Sequence, residues 1–405
     1  MSVARVGVVG AGTMGSGIAQ VAALGGYETF LHDAIPEALE TGLVRVGEGL
    51  AKGTSRGRWS DEEGIAALER LAGSPSLEGL AGCDLVIEAA PEDVELKRDL
   101  FARVAEICGP ETILATNTSS LRVADVGAGV PGPERLVGMH FFNPPALMKL
   151  VEVVATEASS ERALTAVTEV AQAMGRTPIR AKDSPGFVAN RLTRPFFLES
   201  LRMLAADVAD AETIDRVIRL GGGFRMGPFE LIDLIGLDVN LEIARSFYAQ
   251  GGQTERWRPS PIQERLVAEG KLGRKSGEGY YRYGDDVERP LDPELGIPVP
   301  TLDPEKLERV DPLASAILRR LFAQIANETA FALEEGVASP EDMDTAMQLG
   351  LNWPLGPLSL AEMIGAGEAV QLLGALEREH GAAYAQAPLL RRAAEQGTNL
   401  RQAPL

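Results

Sequence analysis

Along the first 183 positions, short apolar runs rich in β-branched residues alternate with longer stretches of helical spacing. ARVGVVG (4–10) is brief, apolar and ended by glycine, the pattern of a strand buried on both faces. TMGSGIAQVAALGG follows with apolar residues three and four apart and a glycine stop, which predicts a helix. ETFLHD, DLVIEAA (84–90) and TILATNTSS (112–120) read as further strands, and RLVGMHFF and KLVEVVA follow them. Strands separated by helices predict an α/β domain built on a parallel, doubly wound sheet across 1–183.

From DSPGFVANRL onward the period changes to that of helices, as in RPFFLESLRMLAA and AETIDRVIRL. This predicts an all-α domain over 184–283. The segment 284–312 is rich in proline and acid and reads as a linker. A second all-α block occupies 313–405 and copies the first. ADAETIDRVIRLGGGFRMGPFELIDLIG (209–236) aligns without a gap on ASPEDMDTAMQLGLNWPLGPLSLAEMIG (338–365). Asp215 then matches Asp344, Gly227 matches Gly356 and Gly236 matches Gly365, each 129 positions apart (344−215, 356−227, 365−236). Such agreement points to a tandem duplication.

The length of 405 residues suits two or three domains, and 45% apolar with 24% charged residues is ordinary for a globular protein. No apolar run approaches the roughly 20 residues of a membrane span. The start MSVARVGVVG lacks the regions of a secretory signal, so the cytoplasm is the expected location. A net charge of −19 argues against nucleic acid as a partner. Cys83 and Cys108 are the two cysteines, without CxxC spacing, and are expected as buried thiols. No clustering of His, Cys and acids suggests a metal site.

GVVGAGTMGSG sets Gly10, Gly12 and Gly15 as GxGxxG between a strand and a helix whose first residues are Thr13 and Met14. Gly10 allows a tight turn, Gly12 lets amides approach a pyrophosphate, and Gly15 lets helix and sheet pack closely. Asp33 ends the second strand, where a carboxylate accepts from ribose hydroxyls and repels a 2′-phosphate. The expectation is a Rossmann-type domain binding NAD rather than NADP. His140, one of three histidines, lies in VGMHFF, and Glu152 lies in the apolar run KLVEVV. If NPPALM turns these strands back on each other, the acid backs the imidazole. Such a pair suits proton removal from an alcohol as its hydride leaves.

GAGTMGSGIAQ, NTSSL, GMHFFNPPALMKLVEV, KDSPGFVANRL and GPFELIDLIGLD, in this order and spacing over about 1–285, resemble the (S)-3-hydroxyacyl-CoA dehydrogenases. These enzymes oxidise L-3-hydroxyacyl-CoA to 3-ketoacyl-CoA with NAD in fatty-acid β-oxidation and related pathways. The resemblance implies His140 as general base and Glu152 as its partner. Ser119 and Asn190 would hold the reacting oxygen, and Asn143 would contact the nicotinamide side of the cofactor. Glu92 and Lys97 would lie at the nicotinamide ribose and its surroundings, and Lys275 would reach the cofactor from the helical domain. The CoA end departs from the family pattern, with Lys52 and Arg56 as candidate phosphate contacts. A free hydroxy acid such as L-gulonate is the alternative substrate, and a cofactor-binding module without turnover is a further alternative. The second helical copy places Arg319 at the position of Asn190, so one active site is expected. The duplication implies a monomer with an internal pseudo-dimer, with a homodimer as the alternative. Chain length and type of the acyl group are open.

Overall fold

The computed structural model describes residues 3–284, 308, 309 and 311–404, so most of the expected linker at 284–312 lies outside the described residues. The chain divides into two compact units, Met1–Phe187 and Val188–Leu405.

The first unit is built on an eight-stranded sheet: β1 Arg5–Val9, β2 Glu28–His32, β3 Leu71–Ser74, β4 Leu85–Glu88, β5 Ile113–Thr116, β6 Leu136–Phe141, β7 Leu150–Ala155 and β8 Thr177–Lys182. Their spatial order is β3-β2-β1-β4-β5-β6-β7-β8. Strands β1 to β6 are mutually parallel, β7 runs antiparallel to β6, and β8 runs parallel to β7. The strands expected from sequence are all present. β3 and β8 are additional, and both are edge strands. LAGS is short and small, and TPIRAK carries a proline and charges, so neither has the apolar signature of a central strand.

Val6, Val8, Leu85, Ile87, Ile113, Val137, Met139, Val151 and Val153 are buried together in the core of this unit. That explains why the central strands lack polar alternation. The helices of the unit are α1 Thr13–Leu24, α2 Pro36–Ser55, α3 Asp61–Glu69, α4 Val94–Ile107, α5 Val123–Val126 and α6 Glu161–Ala173. Because β1, β4, β5 and β6 share one direction, their carboxyl ends share one edge, and the loops that follow them gather there.

The second unit contains α7 Ala189–Leu192, α8 Arg194–Ala205, α9 Ala211–Leu220, α10 Pro228–Ile235, α11 Leu237–Gln250 and α12 Pro261–Ala268. After the undescribed stretch come α13 Pro312–Glu334, α14 Pro340–Leu351, α15 Pro357–Ile364, α16 Ala366–His380 and α17 Pro388–Gln396. The duplication persists in the helix starts, since α15 begins 129 residues after α10 (357−228) and α16 begins 129 after α11 (366−237). Asp215 accepts the Phe229 and Glu230 amides at the head of α10, and Asp344 accepts the Leu358 amide at the head of α15. Each copy thus uses a remote aspartate to cap a proline-led helix. Among the described residues, no helix is long and apolar enough to cross a membrane.

Candidate active site

The glycine turn at the end of β1 needs its glycines. Gly10 has φ +101°, and a Cβ there would lie 2.5 Å from the Ala89 carbonyl oxygen. A Cβ on Gly15 would strike the Gly10 carbonyl outright, so the close approach of α1 to β1 requires glycine there. A Cβ on Gly12 would meet nothing within 4 Å, so open space lies beside the first turn of α1. No side chain caps α1 at Gly12, and Gly12 and Thr13 are exposed with Met14 half-buried beside them. Uncapped helix amides facing open space are what a dinucleotide pyrophosphate requires. Asp33 accepts the Ala11 amide at 2.8 Å and the Ile35 amide at 3.0 Å, which ties the end of β2 to the turn. Its carboxylate oxygens retain lone pairs for ribose hydroxyls, so these residues fit NAD.

His140 and Glu152 stand directly opposite each other in the antiparallel β6–β7 ladder. Nδ1 of His140 lies 2.6 Å from Glu152 Oε2, with the carboxylate fully buried and the ring nearly so. A carboxylate can only accept, so Nδ1 carries the hydrogen and Nε2 presents a lone pair. Phe142 and Phe187 flank the ring, with centroids at 4.6 and 5.8 Å. The adjoining amide of Phe141 donates to Asn117 at 2.8 Å, joining the ends of β5 and β6. The Asn-Pro-Pro loop that carries exposed Asn143 leans on the cofactor helix. A Cβ added to Gly17 of α1 would come within 2.8 Å of Pro145. Arg176 holds this loop by donating to the carbonyls of Pro145 and Met148.

Ser119 is exposed at the end of β5, and its loop is organised by an acid. Glu92 accepts from Thr118 Oγ1 at 2.7 Å, the Ser119 amide at 2.8 Å and the Ser120 amide at 3.2 Å. Behind Glu92 stands Lys97, whose ammonium meets Glu92 at 3.2 Å, Glu88 at 2.6 Å and the Ala90 carbonyl at 3.1 Å. Burial pushes the Glu92 carboxyl up, and the Lys97 ammonium with the Thr118 and Ser119 donors outweighs it, holding the group below the usual carboxylate range.

Lys97 is 1% exposed and its ammonium is directed to Glu88, Glu92 and the Ala90 carbonyl, so it holds Glu92 in position from behind. Three contributors escaped the sequence reading. Glu88, which also accepts from Thr116 at 2.6 Å, looked like the end of a buried strand. Asn117 was hidden in a threonine-rich loop. Arg45 donates to the Ala11 carbonyl in the glycine turn at 3.1 Å, a contact that depends on how α2 packs on α1. Lys52 and Arg56 are exposed at the carboxyl end of α2.

In the second unit, Asn190 is half-buried within α7, and its carbonyl accepts from Arg194 Nε at 3.1 Å. It is a helical residue there, with Val188 at the cap position. Lys275 is half-exposed and paired with Asp238 at 2.6 Å. Among the described residues no group of three or more His, Cys, Asp and Glu side chains is arranged to hold a metal ion.

A β3-β2-β1-β4-β5-β6 strand order, a glycine turn facing an uncapped helix, an acid after β2 and an imidazole–carboxylate pair on the same sheet edge define an NAD-dependent alcohol dehydrogenase domain. Comparison with known proteins makes the class specific. Residues 5–184 match the model of the 3-hydroxyacyl-CoA dehydrogenase NAD-binding domain, and 186–283 and 317–404 each match that of the C-terminal domain. The chain belongs to the 3-hydroxyacyl-CoA dehydrogenase family, and it is an NAD-dependent oxidoreductase of 3-hydroxyacyl-CoA.

It is 36% identical over 451 aligned positions to the 3-hydroxyadipyl-CoA dehydrogenase of Escherichia coli K12, covering 94% of this chain and 95% of that one. It is 41% identical to a probable 3-hydroxybutyryl-CoA dehydrogenase of Deinococcus radiodurans, across 69% of this chain and all of the shorter protein. A crystal structure of 3-hydroxybutyryl-CoA dehydrogenase from E. coli K12 superposes with a TM-score of 0.88 at 34% identity, covering 98% of this chain and 99% of that one.

Proposed function

We propose that His140 is the general base of this oxidation, oriented by Glu152, with Ser119 and Asn190 holding the substrate's 3-oxygen. NAD, when bound at the glycine turn, supplies the acceptor for the hydride that leaves C3. His140 Nε2 takes the hydroxyl proton, and the Glu152 carboxylate stabilises the imidazolium that results. Ser119 suits its role because Glu92 fixes its backbone while the hydroxyl sits at an exposed strand end. Asn143, with Glu92 and Lys97, is assigned to the nicotinamide ribose and its surroundings, Lys275 to the cofactor, and Lys52 with Arg56 to the CoA phosphates. The observation that carries the reading is the buried 2.6 Å bond between His140 and Glu152.

The test is NADH oxidation with acetoacetyl-CoA. Wild type should saturate with the thioester, which a free-acid dehydrogenase would ignore. His140→Gln should lose at least ~100-fold in turnover. Near-normal turnover in that variant would remove His140 from the mechanism.

The protein is read as a monomer in which the second helical copy covers the first. Supporting this, the copies exchange reciprocal ion pairs, Arg191 with Glu328 and Arg320 with Glu199. Light scattering on a gel-filtered sample should give the mass of one chain, and a dimer mass would refute the reading. The cytoplasm is the proposed compartment, in keeping with Cys83 and Cys108 as free thiols. The names of the full-length E. coli K12 protein and of the E. coli K12 crystal structure differ in the far end of the acyl group, a carboxylate in hydroxyadipyl and a methyl in hydroxybutyryl. Both acyl groups are compatible with the same chemistry at C3.

A further inference from the structure

Within the second unit the two helical copies match around their buried arginines except at one acid. α8 ends at Ala205 with Ala206 at the cap, and α13 ends at Glu334 with Glu335 at the cap, so Ala206 and Glu335 are counterparts 129 positions apart (335−206). On one side, Glu328 and Glu335 meet Arg191 and Arg256, two acids for two bases. Glu335 takes the end of the Arg191 guanidinium, with Oε2 2.6 Å from Nη1 and Oε1 2.9 Å from Nη2. On the other side, Glu199 is the one acid paired with Arg320 and Arg202 among the described residues. Arg320 donates from Nε to Glu199 and from Nη2 to the Tyr384 hydroxyl, and its Nη1 makes no hydrogen bond among the described residues.

The space that the missing acid would take is open. Trp257 and Tyr384 correspond, since each ends a short helical turn ahead of a proline-led helix and each donates to its copy's buried acid. That alignment sets Ala383 at the place of Arg256, whose guanidinium lies 4.4 and 4.3 Å from the Trp257 and Phe331 ring centroids. Ala206 and Ala383 thus stand where the other side carries Glu335 and Arg256. Both line a cavity of about 440 Å³, together with Arg202, Arg320, Leu198 and Leu201. Of the other charged groups at this cavity, Arg258 pairs with Glu255 at 2.6 Å and His380 lies 3.8 Å from Glu379. One positive charge is left in excess.

We propose that this cavity is a second ligand site, which binds one monocarboxylate with an unbranched apolar tail. The carboxylate takes the end of the Arg320 guanidinium, as Glu335 takes that of Arg191, and the planar fork suits it. The tail lies against Leu198, Leu201, Ala205 and Pro261. The balance of charge selects a single acid group. A neutral ligand leaves the excess cation unanswered, and a second carboxylate on the same ligand finds no base of its own. A cavity of this size accommodates a small organic ligand.

The probe is hexanoate, with hexanamide as its uncharged control, each titrated into the full chain by calorimetry with thermal unfolding in parallel. Wild type should bind one hexanoate with a Kd below about 1 mM and melt higher as the site fills, and hexanamide should do neither. Ala206→Glu, which supplies the missing acid, should melt higher than wild type without ligand and bind hexanoate at least ~100-fold more weakly. Ala383→Leu narrows the cavity and leaves every charge in place, so it should also weaken binding, and it carries the test if Ala206→Glu does not fold. Hexanamide binding as tightly as hexanoate would overturn the proposal. So would hexanoate affinity unchanged in a folded variant, or a wild type that binds no hexanoate at about 10 mM.

Discussion

Arg191 and Glu328 form an ion pair sealed from water, with Nε 2.8 Å from Oε1, and the pair recurs with the roles of the two copies exchanged. Adding 129 to Arg191 gives Arg320, and subtracting 129 from Glu328 gives Glu199, which Arg320 meets. Residue i contacting j while its counterpart contacts i's counterpart is the mark of a two-fold interface, here closed within one chain. Arg256 and Trp257 also donate to Glu328, at 2.9 and 3.1 Å, and Tyr384 donates to Glu199 at 3.1 Å, so neither acid relies on its arginine alone. Breaking a pair removes part of a buried acid's compensation while Arg256 and Trp257 keep their hold on Glu328, so Arg191→Met should cost about 1–3 kcal/mol in urea unfolding. Adding Glu328→Leu, which also takes the acceptor from Arg256 and Trp257, should cost less than the sum of the two single losses. Strictly additive losses would show that the two residues do not act as a pair.

Lys97 is the second buried cation whose removal has a defined consequence. It neutralises Glu88 and Glu92 from a position that water does not reach. Lys97→Met should destabilise the first unit by several kcal/mol and, by releasing Glu92, loosen the Ser119 loop. The expected kinetic result is a higher KM for the thioester with NADH affinity less affected. Intact stability in this variant would mean that the two carboxylates find other partners.

The legible part of the molecule was the part written in local pattern. The central strands announced themselves as short β-branched runs, and GxGxxG marked the tight strand-to-helix turn because turn, helix mouth and acid lie within about one βαβ unit. The pairing of His140 with Glu152 was accessible because only a short loop separates them. What escaped depended on contacts between distant segments. Nothing in PEDVELK shows that Lys97 turns inward to Glu88, and nothing in AILRRLF distinguishes Arg320 from a surface arginine. The edge strands β3 and β8 were missed because one covered face leaves them without a continuous apolar run.

Asp215 couples stability to pH. Burial pushes its carboxyl up to about 7, although the Phe229 and Glu230 amides and the Tyr281 hydroxyl all donate to it. In the folded state the proton is therefore held at pH values where the unfolded chain, with its ordinary value of 3.8, has lost it. The stability associated with the neutral carboxyl is fully present below the unfolded value and is lost as pH rises through about 7. Asp215→Asn, neutral at every pH, should gain in melting temperature relative to wild type between pH 5 and 8. A difference that stays flat over that range would show that the carboxyl does not titrate there.

Glu152→Gln tests whether the acid behind His140 contributes charge as well as orientation. A glutamine oxygen can still accept from Nδ1, so the ring can keep its place while the charge that stabilises the imidazolium is removed. Turnover should fall by roughly 100-fold or more while NADH binding, which depends on the glycine turn, is retained. If imidazole and acid act as a unit, combining His140→Gln with Glu152→Gln should cost little more than His140→Gln alone. Multiplicative losses in the double variant would instead mean that Glu152 serves catalysis by a route separate from the imidazole.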